Sequence, residues 1–257
     1  MLNSITAAFL GILEGFTEFL PISSTAHLIL FSTIMNISQN SAVKSFEIVI
    51  QVGAILAVVF LYWKDLVKTE IIKRLMVAFL PTGFLGFIFY KIIKSYFFGN
   101  AYIMLGAMFL GGLIMILFER NHSEAQDEGG SVTDLSYWKC FVLGIFQSIS
   151  MIPGVSRSAA TIIGGLWMKI KRKTMVEFSF LLAVPTMVAA SGYDILKNLD
   201  TFSGADWKNL SVGLIFSFAT AIVSIRFLLS YIRKHNFIGF GIYRMILAVV
   251  LGLFLLH

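Results

Sequence analysis

The stretch EGFTEFLPISSTAH, Glu14 to His27, decides how this chain folds, together with its counterpart QSISMIPGVSRSAAT, Gln147 to Thr161. Each interrupts an apolar region, roughly 3–36 and 137–168, with a polar turn that holds a proline. Either half of such a region is only about 10 to 15 residues, short of the about 20 needed to cross roughly 30 Å of hydrocarbon. The pattern predicts two re-entrant helical hairpins that reach the midplane and return. Irregular backbone at that depth is tolerated only where protein or a water-filled cavity covers it, so the two tips should meet inside a bundle.

Around the hairpins lie six runs long enough to span, at 43–62, 75–93, 101–118, 174–196, 209–230 and 237–257. The whole chain of 257 residues is 58% hydrophobic and 13% charged, a balance no water-soluble fold accommodates, and the apolar stretches recur along its full length. The fold class is therefore an all-α polytopic membrane protein. The formal charge of +6 falls in short clusters between apolar runs, without the interleaved aromatics of a nucleic-acid surface, so membrane lipid and not nucleic acid is the expected surrounding. The one cysteine, Cys140, permits neither an intramolecular disulfide nor a cysteine metal site. Met1 to Leu13 lacks a basic start and a cleavage site, and is expected to belong to the mature fold.

The two halves resemble one another at an offset of about 132 residues. Gly11-Ile12-Leu13-Glu14 aligns with Gly144-Ile145-Phe146-Gln147, and Phe46, Val52 and Ala57 with Phe178, Val184 and Ala189. The chain reads as a single membrane domain: repeat one over 1–118, repeat two over 137–257, and an acidic, Gly-containing surface connection over 119–136. Each repeat is a hairpin followed by three spans; three is odd, so the repeats are inverted and the hairpins enter from opposite faces. Counting Lys and Arg in the connections puts twelve on the face of Lys64, Arg120, Lys139, Lys171 and Arg233, against five (Lys44, Lys91, Lys94, Lys197, Lys208) on the other. The first face is then cytoplasmic, and the mouth of the first hairpin opens outside.

Glu14 and Glu18, four apart, share one face of the first half-helix. Carboxylates in a membrane interior are costly and mark function by default. Such a pair holds a hard divalent cation, Mg²⁺ or Ca²⁺, or shares a proton; solvated surface acids are the bland alternative. Ser23, Ser24 and Thr25 follow Pro21 at the start of the next half-helix, where free N–H groups favour an anion and where hydroxyls also serve simply as caps. His27 is one turn beyond Ser24, within reach of its hydroxyl, which makes either of them a candidate nucleophile. Arg157, between Ser156 and Ser158, is the only basic residue in a hairpin tip; it suits bidentate phosphate contact, or a structural ion pair with Glu14 or Glu18. Gln51 could line the site, Glu47 and Glu177 could support it or lie at the interface, and Arg226 and Arg244 are read as snorkelling from span ends.

With these residues in hand, the sequence resembles the undecaprenyl-pyrophosphate phosphatase, or bacitracin-resistance, family. The resemblance is carried by EGFTEFLPISSTAH at 14–27, FEIVIQVGAILAVV at 46–59, PGVSRSAAT at 153–161 and EFSFLLAVP at 177–185, across essentially the whole chain. It implies hydrolysis of undecaprenyl pyrophosphate to undecaprenyl phosphate and inorganic phosphate, recycling the lipid carrier of peptidoglycan synthesis. It also implies a divalent cation, a site open to the periplasmic or outer face of the bacterial inner (plasma) membrane, and a catalytic set of Glu14, Glu18, Ser24, His27 and Arg157. Ala26 and Ala159 depart from the family, which often has Gly at these points. A lipid flippase or ion-coupled transporter is the alternative, since inverted repeats and buried carboxylates mark those proteins equally. The sequence is compatible with a homodimer and fixes no oligomeric state.

Overall fold

A computed structural model describes residues 3–37, 41–92, 100–123, 130–198 and 204–255. The described residues form ten α-helices: α1 (Ser4–Thr17), α2 (Ser24–Ile34), α3 (Ser41–Leu66), α4 (Thr69–Ile92), α5 (Ala101–Asn121), α6 (Tyr137–Ser148), α7 (Arg157–Trp167), α8 (Arg172–Asn198), α9 (Gly204–Tyr231) and α10 (Ile238–Leu255). Short 3-10 turns occur at Val132–Asp134 and Ile149–Met151. Six helices, α3, α4, α5, α8, α9 and α10, are long and apolar enough to cross a membrane. The chain is thus an all-α, multi-pass membrane protein. Lys94 and residues 124–129 of the polar connection lie outside the described residues.

The four remaining helices are the halves of the two hairpins. At 14 residues for α1 and 11 for α7 they extend about 21 and 16 Å, too little to span. Their ends follow local chemistry. Asn3 caps α1 by accepting from the Thr6 amide at 2.8 Å, and Ser136 caps α6 by accepting from Lys139 at 3.2 Å. Pro21 has no amide to donate and disfavours helical backbone at Leu20, so α1 gives way to a turn before Ser24. That turn is anchored by its apolar residues. Phe19, Leu20 and Ile22 are buried in the main core with Ala54 and Val58 of α3, Phe180 and Ala183 of α8, and Ala221 and Ile225 of α9. Phe19 meets Phe180 edge-on at 5.3 Å. The first tip therefore lies in protein and not in lipid, as its irregular backbone requires.

The backbone is consistent with the internal repeat expected from the sequence. Among the described residues, four other than glycine take positive φ: Ser23 (72°) and Ser156 (58°), immediately before α2 and α7, and Asn36 (51°) and Lys169 (57°), just after them. The members of each pair are 133 positions apart. Such backbone is uncommon outside glycine, so its recurrence at one spacing marks equivalent structure.

Packing repeats as well. The first hairpin's α1 lies on α9 of the second repeat, and the second hairpin's α6 lies on α4 of the first. Gly11 faces the Gly213 carbonyl and Gly144 the Ala78 carbonyl so closely that a Cβ at either glycine would collide with it. Without a hydrophobic force between helices in lipid, close backbone approach of this kind is what holds them. Each hairpin is thereby seated on the opposite repeat. The boundary that changes a residue's role is the end of α5: the helix continues to Asn121, and Glu119, assigned to the surface connection, is buried and bidentate to Arg172 at the start of α8.

Candidate active site

The hairpin tips meet. Glu18 follows the last residue of α1 and is nearly buried, and its two oxygens are divided between the hairpins. Oε2 accepts from the Ser24 hydroxyl at 2.7 Å. Oε1 accepts from Nη2 of Arg157, the first residue of α7, at 3.2 Å. Arg157 also donates from Nη1 to the Ser179 carbonyl of α8 at 2.8 Å and lies over the Phe19 ring at 5.9 Å, while its Nε has no partner among the described residues. The guanidinium is thus fixed on one edge and open on another.

Glu14, one turn before Glu18, is fully buried, and neither carboxylate oxygen accepts a hydrogen bond from a described residue. Its charged neighbours are Glu18, Glu47 and Arg157. Glu47, left undecided by sequence, therefore joins the cluster, and Ser32 donates to its Oε1 at 3.3 Å. Glu177 does not: it faces Lys173 one turn away at 3.8 Å.

The imidazole of His27 is placed differently from expectation. Nδ1 lies 2.8 Å from the Ser23 carbonyl, to which it must donate, and Nε2 lies 2.7 Å from the Tyr243 hydroxyl of α10. The two rings stack at 5.6 Å. The Ser24 hydroxyl goes to Glu18 instead, while the histidine one turn on from Ser23 takes that residue's carbonyl.

The remaining hydroxyls divide. Ser158 donates to the Leu20 carbonyl at 2.9 Å, tying one tip to the other. Ser156 accepts from the Ala159 amide at 3.4 Å as the cap of α7 and lies 3.1 Å from Ser158 Oγ. Ser23 is buried without a capping bond, and Thr25 is exposed. Gln51 is half-buried on α3, one turn from Glu47. Ala26 and Ala159 both pack within apolar cores.

Sequence reasoning missed two residues and misplaced a third. Tyr243 carried no signal beyond an aromatic in an apolar span. Glu119 was read as loop. Arg244, read as snorkelling, is fully buried and donates to Pro21 O at 3.2 Å and to Gly154 O at 2.9 Å, one carbonyl from each tip. An arginine deep in an apolar run was itself the available signal. Arg226, by contrast, is exposed on α9.

Fold and site together define a class: a multi-pass membrane protein in which an acid pair, a hydroxyl and a guanidinium converge at two buried hairpin tips. The chain belongs to the bacitracin resistance protein BacA family, whose model matches residues 7–250. It is similar to the undecaprenyl-diphosphatase of Sulfurihydrogenibium sp. (strain YO3AOP1), with 51% identity over 97% of this chain and 98% of the relative. It is also similar to the proteins of that name from Persephonella marina, with 49% identity over 98% of this chain and 99% of the relative, and from Aquifex aeolicus, with 47% identity over 97% and 98%.

Proposed function

We propose that this chain hydrolyses undecaprenyl pyrophosphate to undecaprenyl phosphate and inorganic phosphate at the Glu18–Ser24–Arg157 cluster. The observation that carries the reading is the 2.7 Å hydrogen bond from Ser24 to a carboxylate whose other oxygen takes Arg157 from the opposite hairpin. Ser24 is the nucleophile in this arrangement and Glu18 its base. Ser24 Oγ bonds to the terminal phosphorus while the anhydride P–O bond breaks; the hydroxyl proton passes to Glu18 and on to the departing lipid phosphate. Water then splits the phosphoserine, its hydroxide leaving on phosphate and its proton returning to Ser24 through Glu18. Arg157 and the start of α2 balance the charge that spreads over the transferring group, the main demand of phosphoryl transfer. His27, held by Ser23 and Tyr243, orients the tip and does not face the Ser24 hydroxyl in this geometry.

Glu14 and Glu18 fit a divalent cation such as Mg²⁺ or Ca²⁺, since the buried oxygens of Glu14 have no donor among the described residues. Among the described residues no group of three His, Cys, Asp or Glu forms a complete cage, which suits an ion that keeps one or two carboxylates and takes the rest of its ligands from phosphate and water. When bound, that ion would neutralise pyrophosphate charge. The excess of Lys and Arg on one face supports a topology with inverted repeats and re-entrant hairpins in which both termini and the site mouth lie on the outer, periplasmic side of the bacterial inner membrane.

The test is phosphate release from a long-chain isoprenyl pyrophosphate by detergent-purified protein, without any membrane gradient. Glu18→Gln and Ser24→Ala should each lower turnover by about 10²–10⁴-fold, the range for losing a positioned base or nucleophile. Chelator should abolish release, and added Mg²⁺ or Ca²⁺ restore it. Near wild-type turnover in Glu18→Gln and Arg157→Ala would sink the assignment.

A further inference from the structure

We propose that Arg244 is a positioning residue that clamps the two hairpin tips against each other. Its two tip acceptors, the carbonyls of Pro21 and Gly154, are 133 positions apart, the spacing that relates Ser23 to Ser156. One side chain thus grips the equivalent atom of both repeats, three residues before α2 and three before α7. The grip is anchored on α5, where Nε donates to Met108 O and Nη2 to Ala107 O, each at 3.4 Å. Gly111 of α5 supplies the room, since a Cβ there would run into Nη2.

Every acceptor is a neutral carbonyl and the side chain is 0% exposed, so Arg244 is neither snorkelling nor contacting substrate. A buried cation without a carboxylate is expensive. What it provides is a rigid fork of donors for carbonyls that the broken helices leave without amide partners, a pattern a single ammonium cannot match. By fixing Pro21 relative to Gly154, the fork sets how Glu18 and Ser24 meet Arg157. Only the activity arm of the test rests on the phosphatase reading.

The test compares wild type, Arg244→Gln, Arg244→Lys and the exposed control Arg226→Gln, purified in detergent, by phosphate release, thermal melting and amide hydrogen exchange of peptides covering 18–24 and 152–157. The clamp predicts that Arg244→Gln speeds exchange at both tips together by about tenfold or more and cuts turnover at least about 100-fold, a barrier increase of about 2.7 kcal/mol. The spanning helices should keep wild-type protection, Arg244→Lys should fail to rescue, and Arg226→Gln should behave as wild type. Unchanged tip exchange, loss of protection spread evenly over all helices, or full rescue by lysine would overturn the proposal. Should wild type release no phosphate, the exchange arm still decides the clamp.

Discussion

At the scale of single residues, the site is organised by which acceptor each donor finds. His27 illustrates it: with Nδ1 donating to Ser23 O, Nε2 is left to accept from Tyr243. Tyr243→Phe strips that nitrogen of its donor at a cost of about 1–3 kcal/mol. Turnover should fall about fivefold or more, less than in Ser24→Ala, with the melting temperature lowered by only a few degrees; unaltered turnover would show that the tyrosine merely packs. Gly154 is a second case. Its φ of 94° and its contact with the Met104 carbonyl leave no place for a side chain, so Gly154→Ala should displace the second tip and lower both melting temperature and activity. That Glu14, Glu18 and Arg157 come together was legible in the sequence because ionisable groups near proline-broken apolar runs have few structural uses. The long-range partners of His27 and Arg244 were not, because Tyr243 is 216 positions from His27 while Gly154 and Pro21 are 90 and 223 from Arg244, and no periodicity encodes a contact across such distances.

At the scale of elements, the helices follow closely from the hydrophobic runs, and the deviations are at their ends. The predicted span at 75–93 begins instead at Thr69, because Glu70, Lys73 and Arg74 extend the helix past the apolar stretch and pair one turn apart. Glu119 was misplaced for a related reason: a charged residue after an apolar run looks like the start of a loop, whereas its bidentate partner Arg172 and the Phe237 amide hold it in the last turn of α5. That latch joins the end of α5 to the starts of α8 and α10. Glu119→Gln removes the charge from a buried pair and should cost about 3 kcal/mol of stability, read as a lowered melting temperature with catalytic constants of the folded fraction preserved. A wild-type melt would mean that the latch is energetically idle.

At the scale of the whole molecule, the two repeats interlock: each hairpin rests on the middle span of the opposite half, and one arginine grips equivalent carbonyls of both tips. The helix–turn–helix breaks were readable from 14–27 and 147–161, yet the interlock was not, since it depends on Gly11 meeting Gly213 and Gly144 meeting Ala78 across halves that sequence alignment keeps apart. The symmetry also makes the inverted arrangement testable without any enzyme assay. Asn36 and Lys169 share positive φ, the same spacing as the tips, and the same place just after α2 and α7. If three spans separate the hairpins, these two equivalent positions must emerge on opposite faces. In a Cys140→Ala background, Asn36→Cys should react with a membrane-impermeant maleimide added to intact cells, and Lys169→Cys only in inverted vesicles. The background is innocuous because Cys140 is packed in an apolar cluster with Leu143 and Phe178. Labelling of both cysteines from the same side would refute the inverted repeat, and with it the physical reason that an acid–serine tip and an arginine tip from distant parts of the chain converge on one another.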